Sequence, residues 1–96
     1  YRRQLREARA GLERARRNWT AAVAQVEVAR KQVDAARETY ESARARFDTG
    51  LANSLEVTDA SQQLFEAKVL LNQRILDART AAAEYDYLST VSGEDE

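Results

Sequence analysis

The sequence predicts an all-α protein that folds as one long antiparallel two-helix coiled-coil hairpin. Its 96 residues include no Pro and only three Gly, and long uninterrupted helices need such a composition because both residues weaken a helix interior. Apolar residues recur with a heptad period through the first half. One glycine near the middle, Gly50, marks a chain reversal. This length suits one domain, so we expect a single hairpin over residues 1–96.

The first helix is predicted over about residues 2–48. A large apolar residue recurs at every seventh position, at Leu5, Leu12, Trp19, Val26, Val33, Tyr40 and Phe47. An alanine follows three residues after each of the first six, at Ala8, Ala15, Ala22, Ala29, Ala36 and Ala43. Alternating large and small residues form a helix-packing seam that a partner helix approaches closely. At 1.5 Å per residue this helix is about 70 Å long.

The predicted turn covers residues 49–53. Glycine adopts the left-handed conformation of a helix C-cap without steric penalty, so the first helix should stop at Gly50. Either Asn53 or Ser54 supplies the N-cap of the next helix, and Glu56 completes a near capping box with Asn53. A connection this short makes the two helices antiparallel neighbours.

The second helix, predicted over about residues 54–91, repeats the heptad less strictly. Its seam residues are Val57, Leu64, Leu71 and Tyr85, with Arg74 as a break in the small-residue row. A second apolar row comprises Leu55, Val69, Leu76 and Ala83, interrupted by Gln62. A helix that is apolar over so wide an arc cannot be covered by one partner. We therefore expect further helices, from other subunits or from missing sequence, to cover the remaining face.

Charge is distributed unequally between the two helices. Residues 1–48 carry 12 basic and 7 acidic side chains, a net charge of +5, and residues 49–96 carry 3 and 9, a net charge of −6. The two helices therefore attract each other, and pairing them about the turn places Trp19 near Tyr85. An arginine-rich helix end can neutralise phosphates. We nevertheless expect no nucleic-acid partner, because the net charge is −1 and no stacking aromatics are interleaved with the arginines.

Nothing in the composition points to catalysis. The sequence has no Cys and no His, so it lacks the usual zinc ligands, the thiol nucleophile and the imidazole base. Glu56, Asp59 and Glu66 lie on one predicted helix without pocket-forming loops, which is typical of solvated or capping residues. We expect no enzyme activity, no catalytic residue, no metal and no cofactor.

The turn offers a candidate docking site at the tip of the hairpin. It comprises Phe47, Asp48, Thr49, Gly50, Leu51, Ala52, Asn53 and Ser54. Leu51 has no seam position to fill, and an exposed apolar residue at the end of a coiled coil indicates an end-on protein contact. The alternative is that Leu51 folds back on Phe47 and closes the hairpin.

Three segments around the turn carry a specific pattern. They read ARARFDTGL at 43–51, SLEVTDA at 54–60 and LFEA at 64–67. This pattern resembles the tip region of the TolC-type outer-membrane efflux and secretion channels, in which an R-aromatic-x-x-G-L turn joins two long helices. The resemblance is strong from about 26 to 80. Thr58 departs from it, because the family usually has leucine there.

The resemblance implies a trimeric helical barrel that crosses the periplasm, of which this hairpin is one part and which a β-barrel anchors in the outer membrane. The tips of such a barrel dock end-on with a periplasmic adaptor protein coupled to an inner-membrane pump, so the implied function is transport. Membrane contact is expected only through segments missing from this chain. Thr49, Gly50, Leu51 and Asn53 are the implied adaptor contacts.

Two other interpretations stay open. One is the α-hairpin of the periplasmic adaptor itself, which also carries alanine-rich heptads. The tip of that hairpin has an Arg-Leu pair and a later serine, and this pattern does not appear here. A stand-alone coiled-coil interaction module is permitted by the heptads alone.

Within the channel family, some members close the tunnel mouth with a tyrosine and an arginine around this turn. The matching residues here are Phe47 and Ala52, which cannot form that hydrogen bond or ion pair.

Overall fold

Two long helices make up the hairpin. In the computed structural model, which describes residues 2–94, α1 spans Arg2–Asp48 and α2 spans Ser54–Glu94. The helices lie side by side in a rod with extents of 73 × 14 × 13 Å, and the described residues include no strand. The predicted all-α hairpin is confirmed. α2 continues past the end that we predicted near residue 91 and includes Gly93. A single glycine inside a helix costs only about 1 kcal/mol, which is too little to end a packed helix.

The contact between the helices is made by small side chains. The buried apolar residues are Ala15, Val26, Ala29, Val33, Ala43 and Ala60. Ala29 and Ala43 are only 2% exposed, whereas the larger Trp19 and Phe47 on the same helix are 37% and 44% exposed. Alanine lets two helix backbones approach closely, and the larger residues then cover the sides of the contact. The most buried residues of the seam are therefore alanine and valine, and its larger side chains are half-buried or exposed.

The predicted seam residues differ in burial along the rod. Val26 and Val33 are buried, whereas Leu12, Tyr40, Val57, Leu64, Leu71 and Tyr85 are half-buried. Leu5 is 38% exposed. Because Trp19 lies opposite Tyr85, the end of α2 at Glu94 lies opposite about residue 10 of α1. Leu5 therefore has no described residue of α2 opposite it.

An aromatic stack joins the helices far from the turn. The ring centroids of Trp19 and Tyr85 are 5.5 Å apart and the ring planes are inclined by 23°. The predicted proximity of these two residues is confirmed. Stacked aromatic pairs contribute about 0.5–1.5 kcal/mol beyond the area that they bury. The stack therefore favours one register of α2 along α1.

The first helix ends in a Schellman motif centred on Gly50. Gly50 has a φ of 80°, and its N–H donates to the carbonyl of Phe47 at 3.0 Å. The N–H of Leu51 donates to the carbonyl of Arg46 at 2.7 Å. The Thr49 hydroxyl also donates to the Arg46 carbonyl, at 3.0 Å. These bonds satisfy carbonyls at the end of α1 that have no partner within the helix.

The second helix begins with Asn53 as its N-cap. The Glu56 N–H donates to Asn53 Oδ1 at 2.9 Å, which decides between the two predicted caps, Asn53 and Ser54. The Glu56 carboxylate turns towards the other helix, where its Oε1 lies 3.4 Å from Arg46 Nη1. The start of α2 is thus held both by its own cap and by an ion pair to the end of α1.

Substituting Tyr85 with alanine tests the aromatic stack. We expect the free energy of unfolding to fall by about 1–2 kcal/mol, because stacking and part of a half-buried ring are lost. The chain has one tryptophan, so its fluorescence should shift to longer wavelength as Trp19 gains solvent. The measurement is urea unfolding at low chain concentration, followed by circular dichroism and fluorescence. Tyr87→Ala is the matched control, because Tyr87 is 68% exposed; equal losses in both variants would contradict this role of the stack.

Alanine substitutions at two glycines should change the free energy of unfolding in opposite directions. A Cβ at Gly50 meets no atom within 4 Å but would stand on a backbone with positive φ, so Gly50→Ala should lower the free energy of unfolding by about 1–2 kcal/mol. Gly11 lies inside α1 with equally open space, so Gly11→Ala should raise it by about 0.5–1 kcal/mol. Chemical denaturation of both variants checks this. A Gly50→Ala variant with an unchanged free energy of unfolding would show that the left-handed turn is dispensable.

Candidate docking site at the hairpin tip

The tip, residues 47–54, closes one end of the rod. The structure brings together the eight residues that the sequence analysis assigned to it. Seven of them are exposed and one is half-buried, Ala52; the exposed residues are Phe47, Asp48, Thr49, Gly50, Leu51, Asn53 and Ser54. The helix-packing residues, in contrast, are distributed along the length of the rod. The tip is thus a compact surface at the end of a long contact.

Leu51 is the most exposed large apolar side chain of the described residues, at 77%. Its backbone N–H folds back to the Arg46 carbonyl, but its side chain remains in solvent. Leu51 therefore does not fold back on Phe47 to close the hairpin. Phe47 and Leu55 are themselves 44% and 64% exposed. Exposed apolar residues that cluster at one place are typical of a protein contact site.

Two polar side chains of the tip, Thr49 and Asn53, make local hydrogen bonds. The Thr49 hydroxyl donates to the carbonyls of Ala45 and Arg46 at 3.3 and 3.0 Å. Asn53 Oδ1 accepts the Glu56 N–H. Thr49 and Asn53 thus hold the backbone of the turn, and the exposed surface of the tip includes the apolar side chains of Phe47 and Leu51 beside the polar Asp48 and Ser54.

Charged side chains surround the base of the tip. Arg46 and Glu56 form the ion pair between the helices, with side chains that are 46% and 49% exposed, so it contributes less than about 1 kcal/mol. Arg44 Nη1 donates to the Tyr40 hydroxyl at 3.2 Å. This hydrogen bond, the charge interaction with Tyr40 and the nearby Asp48 carboxylate raise the pKa of the Arg44 guanidinium above its usual value. Like other arginines, Arg44 is charged, and it lies beside the tip.

A shallow groove of about 500 Å³ begins next to the tip on α2. It is lined by Tyr40, Val57, Thr58, Ser61, Gln62 and Phe65. The sequence analysis did not assign this groove, and Phe65 is 66% exposed within it. The sequence feature that could have indicated this groove is the position of Phe65, which lies outside the seam and directly after the seam residue Leu64. A second open groove of about 380 Å³ lies beside Trp19 and Ile75, halfway along the rod.

Within residues 2–94 no group of three or more acidic side chains is placed to hold a metal ion. Neither α1 nor α2 contains a stretch apolar enough, over the length required, to cross a membrane.

Comparison with known proteins identifies the family. A family model described as outer membrane efflux protein matches residues 1–89, which include α1, the tip and most of α2. No curated protein and no solved structure matches the chain. The resemblance inferred from the turn segments is thereby confirmed. The chain belongs to the outer membrane efflux protein family, whose members are transport channels of the outer membrane and not enzymes.

Proposed function

We propose that this chain forms a hairpin of the periplasmic wall of an outer-membrane efflux channel, and that its tip docks end-on with a periplasmic adaptor protein of a tripartite pump. The observation that carries the proposal is the position of Leu51, which is 77% exposed at the end of a rod 73 Å long. The family match over residues 1–89 supplies the transport context.

The tip is suited to recognition because its conformation is set before a partner arrives. The cap around Gly50, the Asn53 cap and the Arg46–Glu56 ion pair hold the backbone of the turn. A preorganised surface loses less conformational entropy on binding. Burying a side chain such as Leu51 in a partner contributes about 1.5–3 kcal/mol.

A single hairpin cannot enclose a passage, since it is 14 Å wide and 13 Å thick. A channel wall therefore needs several such rods side by side. We propose a homotrimer for the full-length protein, with this segment in the periplasm and with membrane contact made by other segments. The broad apolar arc of α2 supports this assembly, because one partner helix leaves Leu55, Phe65 and Leu76 more than half exposed.

The mouth of this channel is held by contacts other than a tyrosine hydrogen bond and an arginine ion pair. Phe47 has no hydroxyl and Ala52 has no charge, although they occupy the matching positions. Phe47 is 44% exposed, so apolar contact between neighbouring tips is the chemistry that it offers. No observation on this chain favours the adaptor hairpin or the stand-alone module over the channel.

Site-specific cross-linking at the tip tests the docking. Leu51→Cys in the full-length protein, labelled with a benzophenone maleimide in cells that hold the pump, should capture an adaptor protein identified by mass spectrometry. Tyr87→Cys is the matched control, because Tyr87 is 68% exposed and lies about 50 Å further along α2. We expect adaptor adducts from the Leu51 variant only. The absence of an adaptor adduct there, or equal yields from both positions, would contradict end-on docking.

A further inference from the structure

Arginine recurs at seven-residue intervals along one side of α1. These exposed side chains, each four residues after a large seam residue, are Arg9, Arg16, Arg30, Arg37 and Arg44. Val23 stands where the interval between Arg16 and Arg30 would place another arginine. Because seven residues make nearly two helical turns, all of these side chains lie on the same side of the helix. This side of α1 is therefore basic, with one apolar gap at Val23.

The gap at Val23 opens onto the groove beside Trp19, which we call the Trp19 groove. Its volume is about 380 Å³, and its apolar lining consists of Trp19, Val23, Val26, Ile75, Ala78 and Ala82. A smaller opening of about 230 Å³ shares Trp19 and Val23 with it. Trp19 stacks on Tyr85 and is nevertheless 37% exposed. Part of the indole is therefore available to a second aromatic ring.

Three charged residues border the Trp19 groove: Glu27, Arg30 and Arg79. Glu27 Oε1 lies 3.8 Å from Arg30 Nε, so this carboxylate already has a cationic partner. Arg79 is exposed and takes part in none of the ion pairs within residues 2–94. Two cations and one anion give the border a net charge of +1. Its available charged group is a guanidinium, which suits oxyanions because its N–H donors match their geometry.

The opposite side of the seam has the opposite charge at the same height. At 100° per residue, Gln25 of α1 and both Asp77 and Glu84 of α2 lie on that side. Asp77 and Glu84 are exposed. The corresponding seven-residue row of α1 is uncharged over its first five positions, Gly11, Asn18, Gln25, Gln32 and Thr39. Only the side that carries the Trp19 groove therefore attracts an anion at this height.

We propose that the Trp19 groove binds a flat, amphipathic organic anion, an aromatic ring system that carries a sulfonate or carboxylate group. The rings lie against Trp19 and Val23, and the anionic group pairs with Arg79. An open groove covers one face of its ligand, so a flat molecule gains the most contact from it. The combination of an apolar lining with one well-placed polar group is typical of small-molecule sites. A charge-assisted hydrogen bond to the guanidinium then fixes the orientation of the ligand.

The position of the groove keeps it accessible. It lies between α1 and α2, since both helices line it, and not on the outer edge of either helix. Contacts at the two edges of the rod, as in the channel wall proposed above, therefore leave it open. The inference does not depend on the tip, and it is measured without an adaptor. Failure of anion binding and failure of docking are thus separate results.

Photolabelling of the full-length protein tests the site. Azidonaphthalene sulfonate is the anionic probe, and azidonaphthalene is the same ring system without the sulfonate. Mass spectrometry locates the labelled residues at each probe concentration. We expect saturable labelling by the sulfonate within residues 19–30 and 75–82, which contain the groove. Its half-saturating concentration should be about three- to five-fold lower than that of the neutral probe, as expected for one exposed ion pair.

Arg79→Gln should remove this difference by raising the half-saturating concentration of the sulfonate alone, whereas Val23→Gln should weaken both probes because the apolar gap is lost. Lys68→Gln is the matched control, because Lys68 is an exposed cation on the same side of α2, about 16 Å from Arg79. It should bind both probes as the parent protein does. Equal half-saturating concentrations of the two probes in the parent protein would overturn the proposal, and so would equal effects of Arg79→Gln and Lys68→Gln.

Discussion

The close approach of two helix backbones across a row of alanines is the constraint on which the rest of this structure depends. Ala15, Ala29, Ala43 and Ala60 are among the most buried residues, at 2–4% exposed. A narrow seam buries little apolar area per residue, so stability has to accumulate along the whole length of the rod. For the same reason the large apolar residues stand at the sides of the seam, where other helices can reach them.

The turn reverses the chain and forms one end of the rod. Because Gly50 takes a positive φ and Asn53 caps the next helix, the chain reverses within a few residues and exposes Leu51 at the tip. The proposed docking gives this exposed end a role in a family of outer-membrane transport channels. The tip exposes the apolar side chains of Phe47 and Leu51, and the side chains of Thr49 and Asn53 hydrogen-bond to the backbone.

The helices, the turn and the pairing of Trp19 with Tyr85 were predictable from the sequence because they follow from periodicity and from one glycine. The details of the tip were not. Asn53 and Ser54 are both good caps, and the side chain of Leu51 could fold in or out; differences of about 1 kcal/mol decide such choices. Burial along the seam was not predictable either. The heptad placed both Ala29 and Trp19 in the seam, but Ala29 is 2% exposed and Trp19 is 37% exposed.

The stack of Trp19 on Tyr85 and the cap at Gly50 are separated by about 45 Å along α1, and together they fix the helices against sliding. An insertion in one helix alone would move every alanine beyond it out of step with its partner residues. Such a rod can change length during evolution only in matched steps, with seven residues added to or removed from both helices together. The length of this hairpin therefore changes in steps of about 10 Å.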